Sequence, residues 1–410
     1  MIEQAVILCG GLGTRLGQLT AATPKPLLPV GGVPFLQILI QEIARSGVRN
    51  FLLLAGHHAD QVVAFADTVA DKLNLTINVE VAIEARPAGT GGALYEAGSR
   101  LAESFLLLNG DSLLDLPLWQ LDQLLAAQAD AIGAIALREV ADCGRYGKVE
   151  LAGSRITSFA EKQTGAGAGM INGGVYLFRR SVLDYLQADC SLERDVLPVL
   201  AAQRRLFGRE TRGFFIDIGL PETFNEAQNA LVAHRQQPAV FFDRDGVLNL
   251  DHGHVGTAER FTWSKGAVEA LRLVNELGYY AFVVTNQAGI AKGKYTVEDY
   301  WTLRDRIRAE LAEAGAQIDD ERFCPYHPEA SVPEFRAQSP DRKPAPGMLL
   351  DLMARWPVER QGSFLIGDQE TDLEAAAAAG LPAFRFAGGD LSAFVQSCIE
   401  QGRAGHDRHG

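Results

Sequence analysis

Short apolar runs alternate with segments of helical spacing along the first 230 residues of the chain. The apolar runs suit strands that are buried on both faces, as parallel sheets require. These runs are QAVILC (4–9), NFLLLAG (50–56), NVEVAIE (78–84), SFLLLNGD (104–111) and AIGAIAL (131–137). Between them, apolar residues recur at helical spacing in PFLQILIQEIARSG (34–47) and TGGALYEAGSRLAE (90–103). This alternation predicts an α/β doubly wound sheet.

A second series of the same kind begins near residue 236. The segment 222–238 has the pattern of a last helix that runs into a polar, proline-ended linker. Further strands are predicted at 238–243, 279–287, 320–324, 362–368 and 381–389, and helices at 266–278 and 297–315. We therefore expect two doubly wound α/β domains, over residues 1–235 and 238–390, and a C-terminal tail over 391–410. The last part of that tail, 400–410, is expected to be disordered.

Composition and charge limit the class of protein. Hydrophobic residues make up 47% and charged residues 22% of the 410 residues, as is typical of globular proteins in solution. The net charge of −13 argues against nucleic acid or an anionic membrane as a main partner, and leaves small anionic substrates open. The five cysteines include no CxxC pair and fit reduced thiols. Since no apolar run approaches ~18 residues and no signal-peptide pattern is present, we expect a cytoplasmic protein, with a homo-oligomer left open.

A glycine-rich turn follows the first predicted strand. CGGLGTRL (9–16) places Gly10, Gly11 and Gly13 ahead of Arg15. Glycines let backbone N–H groups approach phosphate oxygens closely, and the arginine supplies positive charge. A turn that merely packs a helix against a strand is at least as common, so the turn alone leaves both interpretations open.

Three charged residues further along favour the phosphate interpretation. Lys25 stands between two prolines, which stiffen the loop that carries its ammonium group. Asp111 and Asp217 each end a predicted strand. Two carboxylates at strand ends, facing a glycine-rich loop, could hold Mg²⁺ against a triphosphate. Each aspartate taken alone is about as common in a turn or a cap.

Residues 3–230 resemble the sugar-1-phosphate nucleotidyltransferase family, which has a Rossmann-like, GT-A-like fold. The matching pieces are GGLGTRL, PKPLLPV, GTGGAL, NGDS, EK at 161–162, INGGVYLF and FIDIGLPETF, in that order. The family couples a nucleoside triphosphate to a sugar 1-phosphate and releases pyrophosphate. The resemblance implies a triphosphate cradle made of Gly10, Gly11, Gly13, Thr14 and Arg15. It also implies that Lys25 stabilises the transition state, that Mg²⁺ is bound by Asp111 and Asp217, and that the sugar phosphate is contacted by Glu161, Lys162 and Asn172.

Two further residues bear on which nucleotide base is recognised. Glu84 and Gly89 fall where this family reads the edge of the base. A carboxylate there could accept hydrogen bonds from N1–H and N2–H₂ of guanine, whereas uracil and thymine offer one such donor. This favours GTP, while a solvated surface glutamate stays open as the alternative interpretation.

Two aspartates mark the start of the second half. In FFDRDGVLN (241–249), Asp243 and Asp245 stand two residues apart on an extended chain, so their side chains share one face. One carboxylate can attack phosphorus while the other acts as general acid and base, and Mg²⁺ reduces their repulsion of a phosphate dianion. A calcium loop is the weaker alternative, because the bidentate glutamate that would end it is missing.

The residues that would support phosphate transfer arrive in a fixed order. Thr285 ends a strand, Lys343 precedes a rigid Pro-x-Pro turn, and Asp368 ends a third strand. This order resembles the haloacid dehalogenase (HAD) superfamily of phosphatases, which proceed through an aspartyl-phosphate. By that resemblance Asp243 is the nucleophile and Asp245 the general acid and base, with Lys343 catalytic. The implied Mg²⁺ ligands are Asp243, Asp245 and Asp368, and the implied substrate contacts are Thr285, Asn286 and Arg342.

Residues 239–385 resemble the D-glycero-D-manno-heptose 1,7-bisphosphate 7-phosphatases and the related histidinol-phosphate phosphatases more closely still. The matching pieces are DRDGVLNLDHGHV, TNQAGIAKG, CPYHPEASVPEF and RKPAPGM. That family usually binds a structural zinc through three cysteines and a histidine. Here Cys324 and the nearby His327 remain, but the other ligand positions hold Tyr326, Ser339 and Asp341. Two ligands are too few for a closed zinc site, so we predict no zinc and a loop shaped by its prolines (325, 328, 333 and 340). Gln369, where relatives often carry a lysine, is a second departure.

The two halves fit consecutive reactions. The first half most resembles D-glycero-α-D-manno-heptose 1-phosphate guanylyltransferases, and heptose 1-phosphate is what the predicted phosphatase would release. The sequence therefore predicts a bifunctional enzyme of nucleotide-sugar synthesis. Two alternatives remain at this stage: the same chemistry on another sugar with another nucleotide, or one half acting as a non-catalytic regulatory module.

Overall fold

The computed structural model describes residues 2–144, 148–159 and 167–406, and the chain divides into two compact units, Met1–His234 and Arg235–Gly410. Each unit is built around its own main sheet. No helix in the described ranges is long and apolar enough to cross a membrane.

The first unit alternates strands and helices. Its strands are β1 (Gln4–Leu8), β2 (Pro29–Val30), β3 (Val33–Pro34), β4 (Asn50–Ala55), β5 (Asn78–Ile83), β6 (Ser104–Asn109), β7 (Ser112–Leu114), β8 (Gly133–Val140), β9 (Lys148–Ala152), β10 (Arg155–Phe159), β11 (Gly169–Arg179), β12 (Leu206–Thr211) and β13 (Phe215–Asp217). Its helices are α1 (Phe35–Arg45), α2 (Ala59–Leu73), α3 (Gly89–Glu96), α4 (Trp119–Ala126), α5 (Leu197–Ala202) and α6 (Pro221–Arg235).

The main sheet of the first unit is mixed, in the order β5-β4-β1-β6-β11-β8-β12-β10-β9. Strands β5, β4, β1 and β6 run parallel, as the buried apolar runs predict. Strand β11 is antiparallel to both of its neighbours β6 and β8, which the alternating pattern does not reveal. Because β1 lies between β4 and β6, the glycine turn after β1 and the acidic segment after β6 come out at the same edge of the sheet. A separate antiparallel pair, β7 and β13, sets Asp217 opposite Ser112.

The second unit has a smaller sheet. Its strands are β14 (Ala239–Phe242), β15 (Tyr280–Asn286), β16 (Asp320–Cys324), β17 (Phe364–Gly367) and β18 (Ala383–Arg385). Its helices are α7 (Ala267–Glu276), α8 (Ala288–Ala291), α9 (Val297–Glu313), α10 (Gly347–Arg355), α11 (Glu370–Ala379) and α12 (Leu391–His406). The order β16-β15-β14-β17-β18 is parallel throughout, which confirms the α/β prediction. The carboxyl ends of β14, β15 and β17 therefore meet at one edge.

The C-terminal segment begins with a helix that packs against α7. The predicted tail forms helix α12, whose residues Leu391, Val395, Cys398 and Ile399 are buried in the core beside α7. These apolar positions recur with helical spacing, so the end of the segment extends a packed helix. Helix α12 ends at His406, and 407–410 lie outside the described residues, so the predicted disorder of 400–410 stays a prediction.

Candidate active sites

The glycine turn after β1 leads into a short 3₁₀ helix, Thr14–Thr20. Gly13 has a positive φ of 63°, and a Cβ added there would lie 2.8 Å from the Thr20 methyl group. The Thr20 hydroxyl also donates to the Gly13 carbonyl oxygen at 3.0 Å. Only glycine fits that position without strain. Gly11, Thr14 and Arg15 are exposed, and nothing lies within 4 Å of an added Cβ at Gly11, so backbone and side chains there are open to a ligand.

Two cations and two carboxylates converge beside this turn. The buried Lys25 ammonium pairs with the Asp111 carboxylate. A Cβ added at Gly219 would lie 2.7 Å from Asp217 Oδ1, and 3.5 Å from both Arg15 Nη2 and Lys25 Nζ. The sequence-predicted set of Arg15, Lys25, Asp111 and Asp217 is thus brought together from four separate segments.

The electrostatics of this cluster suit a divalent cation. Burial, followed by the negative charge of Asp111, raises the pKa of Asp217. Burial and a neighbouring negative charge both disfavour the ionised form of a carboxyl group. A metal ion bound between two such carboxylates stabilises their ionised forms. Hard oxygen ligands of this kind match Mg²⁺, and Asp111 and Asp217 are the residues that would hold it.

Glu84 lies directly against the glycine turn. A Cβ added at Gly10 would fall 2.0 Å from Glu84 Oε1, so the carboxylate occupies the space that a side chain at position 10 would need. Burial raises the pKa of Glu84, while a hydrogen bond from the Ala88 backbone opposes that rise. The side chain is half-buried at the turn, unlike a fully solvated surface glutamate. Gly89, at φ 77°, packs instead against the Cys190 carbonyl, 2.5 Å from an added Cβ.

The residues predicted to contact the sugar phosphate are only partly described. Glu161 and Lys162 lie outside the described residues. Asn172 is engaged within the protein: its Nδ2 donates to the Tyr176 hydroxyl at 2.5 Å, and its Oδ1 accepts from the Gly174 backbone at 3.0 Å. The contact of Asn172 with the sugar phosphate therefore stays a prediction.

The second site lies at the carboxyl ends of β14, β15 and β17. Asp243 is buried, and its Oδ1 lies 2.8 Å from Lys343 Nζ. The same ammonium lies 2.6 Å from Asp372 Oδ1 and donates to the Val284 carbonyl oxygen at 2.9 Å. Burial, opposed by the Lys343 charge and supported by that of Asp372, raises the pKa of Asp243 to about 7.

Three carboxylates at this edge could hold a metal ion. One oxygen each of Asp243, Asp368 and Asp372 lies within 4.8 Å of the others. Asp368 Oδ1 is buried and has no hydrogen-bond partner among the described residues, and burial raises the pKa of this carboxyl group. A buried carboxylate oxygen without a hydrogen-bond donor destabilises the folded protein unless a cation binds to it. The donor set is all oxygen, which fits Mg²⁺.

Asp372 belongs to this acidic group, whereas Asp245, two residues after Asp243, has other partners. Asp245 Oδ1 and Oδ2 accept from the Arg244 guanidinium at 2.9 and 3.0 Å, Oδ1 also accepts from Asn249 at 3.0 Å, and Oδ2 from Gln287 at 2.8 Å. Among the described residues the acidic group comprises Asp243, Asp368 and Asp372. The assignment of Asp245 as a metal ligand stays a prediction. The sequence feature that could have identified Asp372 is its position four residues after Asp368, in the first turn of α11. That position also suits a helix cap, since Asp372 Oδ2 accepts from the Gln369 backbone at 3.0 Å.

The predicted substrate contacts of the second site have different surroundings. The buried Thr285 hydroxyl accepts from Gln287 Nε2 at 2.7 Å. The Asn286 amide exchanges two hydrogen bonds of 3.0 Å with the backbone of Lys343, so it fixes the residue that carries the buried ammonium. Arg342 donates to the Tyr326 carbonyl oxygen at 3.3 Å, at the edge of the loop that follows β16.

Cys324, Tyr326 and His327, which the sequence analysis considered as zinc-ligand positions, have contacts within that loop. The Cys324 thiol lies 3.9 Å from the Tyr326 carbonyl oxygen, and burial raises its pKa. His327 Nδ1 accepts from the Glu329 backbone at 3.0 Å, and the Tyr326 ring contacts Phe335. The prediction that this chain binds no zinc stays a prediction.

Comparisons with known proteins match each half separately. A profile of the Nucleotidyl transferase family matches residues 4–234, and a HAD-hydrolase-like profile matches residues 341–393. A D-glycero-beta-D-manno-heptose-1,7-bisphosphate 7-phosphatase of Rhodopseudomonas palustris is 48% identical over 170 residues, which cover 41% of this chain and 94% of that protein. A D-glycero-alpha-D-manno-heptose-1,7-bisphosphate 7-phosphatase of Burkholderia mallei is 41% identical over 143 residues, or 35% and 76% of the two chains. The crystal structure of HddC from Yersinia pseudotuberculosis is 31% identical and matches 56% of this chain and 100% of that one, with a TM-score of 0.49.

One match decides the family of the first half, and another decides that of the second half. The nucleotidyl transferase profile covers more than half of the chain, and the R. palustris phosphatase is matched over nearly its whole length. The chain therefore belongs, through its first half, to the nucleotidyl transferase family and, through its second half, to the heptose-1,7-bisphosphate 7-phosphatases of the HAD superfamily.

Proposed function

We propose that the chain catalyses two consecutive steps in the synthesis of a nucleotide-activated heptose. A domain of residues 238–390 removes the 7-phosphate from D-glycero-D-manno-heptose 1,7-bisphosphate. A domain of residues 1–235 then joins the resulting heptose 1-phosphate to GMP from GTP, giving GDP-heptose and pyrophosphate. The observation that carries the proposal is the presence, in one polypeptide, of a nucleotidyl transferase and a half that is 48% identical to a heptose bisphosphatase.

In the phosphatase step we assign the nucleophile to Asp243. One of its oxygens attacks the 7-phosphorus, the bond from phosphorus to the C7 oxygen breaks, and Asp245 gives a proton to that oxygen. Water then hydrolyses the aspartyl-phosphate while Asp245 takes a proton from it. The buried Lys343 ammonium, 2.8 Å from Asp243, stabilises negative charge that accumulates there. Mg²⁺ held by Asp243, Asp368 and Asp372 would supply further positive charge next to the phosphate.

In the transfer step no covalent enzyme intermediate is required. An oxygen of the sugar 1-phosphate attacks the α-phosphorus of the nucleotide, and the bond to the pyrophosphate oxygen breaks. Catalysis then consists of alignment and charge neutralisation. The exposed Gly11 backbone and Arg15 bind the triphosphate, and Lys25 offsets charge in the transition state, supported by the clustering of both cations about Gly219. Asp111 and Asp217 would hold Mg²⁺, which would supply positive charge beside the phosphates.

The choice of GTP is supported by the surroundings of Glu84. Its carboxylate touches Gly10, at the start of the turn that would bind the triphosphate, so a base attached to that nucleotide lies within reach of the same region. A carboxylate accepts both N1–H and N2–H₂ of guanine in a bidentate arrangement. Uracil and thymine lack the second donor.

A direct assay tests the whole proposal. The full-length protein is incubated with Mg²⁺, the α or the β anomer of heptose 1,7-bisphosphate and each nucleoside triphosphate in turn, and the products are identified by mass. We expect phosphate, pyrophosphate and GDP-heptose with GTP, and much less nucleotide sugar with UTP or dTTP. Phosphate release without any nucleotide sugar would limit the proposal to the phosphatase, and turnover of only another sugar phosphate would replace its substrate.

A further inference from the structure

Gln287 lies buried between two residues assigned to phosphate chemistry. Its Nε2 donates to Asp245 Oδ2 at 2.8 Å and to the Thr285 hydroxyl oxygen at 2.7 Å. Its Oε1 accepts from the Tyr295 hydroxyl at 2.5 Å and from the Arg244 guanidinium at 3.0 Å. All four hydrogen-bonding positions of the amide are therefore used, and the side chain is only 1% exposed.

The chemistry of the neighbours fixes the orientation of this amide. The Arg244 guanidinium can only donate, and Asp245 Oδ2 accepts from both Arg244 and Gln287. A reversed amide would set its N–H₂ group against the guanidinium and its oxygen against the carboxylate, and would lose both bonds. The Tyr295 hydroxyl, itself buried, holds Oε1 from the far side.

This orientation has a consequence for each of the two partners. The Thr285 oxygen accepts a hydrogen bond from Gln287, so its own proton is directed away from Gln287 and is available to a phosphate oxygen. The same amide nitrogen also donates to Asp245 Oδ2, so the Asp245 carboxylate and the Thr285 hydroxyl are both bonded to one atom. A single side chain thus sets the spacing between a phosphate-binding hydroxyl and the acid that serves the leaving group.

We propose that Gln287, held by Tyr295, is the positioning residue that places Asp245 and Thr285 together for phosphate transfer. It touches no substrate atom and acts through these two groups. The proposal rests on the phosphatase function proposed above, but it does not depend on which sugar carries the phosphate. If it is right, loss of Gln287 should lower kcat most for esters whose leaving group needs a proton to depart.

The test compares two classes of phosphate ester in full-length Gln287→Leu. A sugar phosphate has a basic alkoxide leaving group that needs a proton from Asp245, whereas p-nitrophenyl phosphate has a leaving group that departs without one. We expect kcat on heptose 1,7-bisphosphate to fall about 100-fold, within the range of general acid catalysis, and kcat on p-nitrophenyl phosphate to fall less than about fivefold. Weaker inhibition by inorganic phosphate is expected from the effect on Thr285. If heptose bisphosphate is not a substrate, any alkyl phosphate that the wild type hydrolyses replaces it, so the two proposals fail separately.

A double-mutant cycle and matched controls complete the design. In an Asp245→Asn background, Gln287→Leu should cost less than about threefold more, because the group it positions is already disabled. Tyr295→Phe should also lower kcat more on the sugar phosphate than on p-nitrophenyl phosphate, with a fall about a tenth as large. This variant can be tested even if Gln287→Leu misfolds. Gln317→Leu removes an amide-to-carboxylate bond of the same length, to Asp319 before β16, and should change neither activity. Equal losses on both ester classes, full additivity in the cycle, or no loss at all would overturn the proposal.

Discussion

Lys343 joins Asp243 to Asp372 through one buried ammonium group, 2.8 Å from the first carboxylate and 2.6 Å from the second. The lysine reaches this position from the loop before α10, whereas the aspartates follow β14 and begin α11. Burial alone would favour a neutral lysine, but the adjacent carboxylates raise the pKa of Lys343 and keep it charged. One cation therefore holds together three segments that are far apart in the sequence.

Replacing Lys343 with methionine should destabilise the second unit strongly. The substitution keeps the length of the side chain but leaves two buried carboxylates without their partner, and loss of one member of such a group costs about 3–5 kcal/mol. The free energy of unfolding in urea can be followed by tryptophan fluorescence. Lys265→Met is the matched control, because its ion pair with Asp390 is exposed and 3.7 Å long, and it should change stability by less than about 0.5 kcal/mol. Equal effects of the two substitutions would show that the buried ammonium is not a structural link.

Replacing Asp372 with asparagine separates metal binding from helix capping. Asparagine can still accept the backbone hydrogen bond at the start of α11, but it lacks the charge that a metal ligand supplies. We expect the Mg²⁺ concentration for half-maximal phosphatase activity to rise about 10- to 100-fold, with a modest change in melting temperature. Asp299 holds the corresponding capping position in α9, where it accepts from Thr296, so Asp299→Asn serves as the control. An unchanged Mg²⁺ requirement in Asp372→Asn would reduce Asp372 to a capping residue.

The sequence is most informative where a single local pattern determines the structure. The apolar runs predict the parallel strands of both units, and the place of Asp243 follows from the buried strand that it ends. Asp372 was missed because an acidic residue in the first turn of a helix is common for electrostatic reasons alone. The antiparallel placement of β11 depends on long-range pairing, which hydrophobic periodicity does not encode. The Gln287 contacts likewise require the folded arrangement of three segments.

The two activities should be separable by single substitutions. Asp243→Asn removes the proposed nucleophile and should abolish phosphate release, while transfer from ready-made heptose 1-phosphate continues at close to the wild-type rate. Asp217→Asn should do the reverse, because it alters only the cluster around Gly219. Release of inorganic phosphate and of pyrophosphate is measured separately for each variant. If a folded variant lost both activities equally, the assignment of one complete site to each unit would be wrong.

Metal analysis should distinguish magnesium from zinc. Treatment with EDTA should abolish both activities, and Mg²⁺ should restore them, because both acidic clusters are built from oxygen ligands. Protein purified without chelators should contain far less than one zinc per chain, since Cys324 and His327 alone cannot close a zinc site. Stoichiometric zinc in the wild type, lost in Cys324→Ala, would contradict this expectation.

Replacing Glu84 with glutamine should change the preference among nucleotides. If Glu84 reads guanine, its carboxylate accepts two hydrogen bonds, and charge-assisted bonds contribute ~1.5–3 kcal/mol. Glutamine keeps one acceptor but sets an N–H₂ donor against a donor of guanine, whereas it can still accept the single N–H of uracil. At ~1.4 kcal/mol for each factor of ten, kcat/KM for GTP should fall roughly ten- to a hundredfold, and for UTP or dTTP much less. The ratio is the decisive measurement, because a general disturbance of the turn next to Gly10 would lower all nucleotides alike. An unchanged GTP-to-UTP ratio would assign Glu84 to shaping the glycine turn, and base recognition would have to come from other residues.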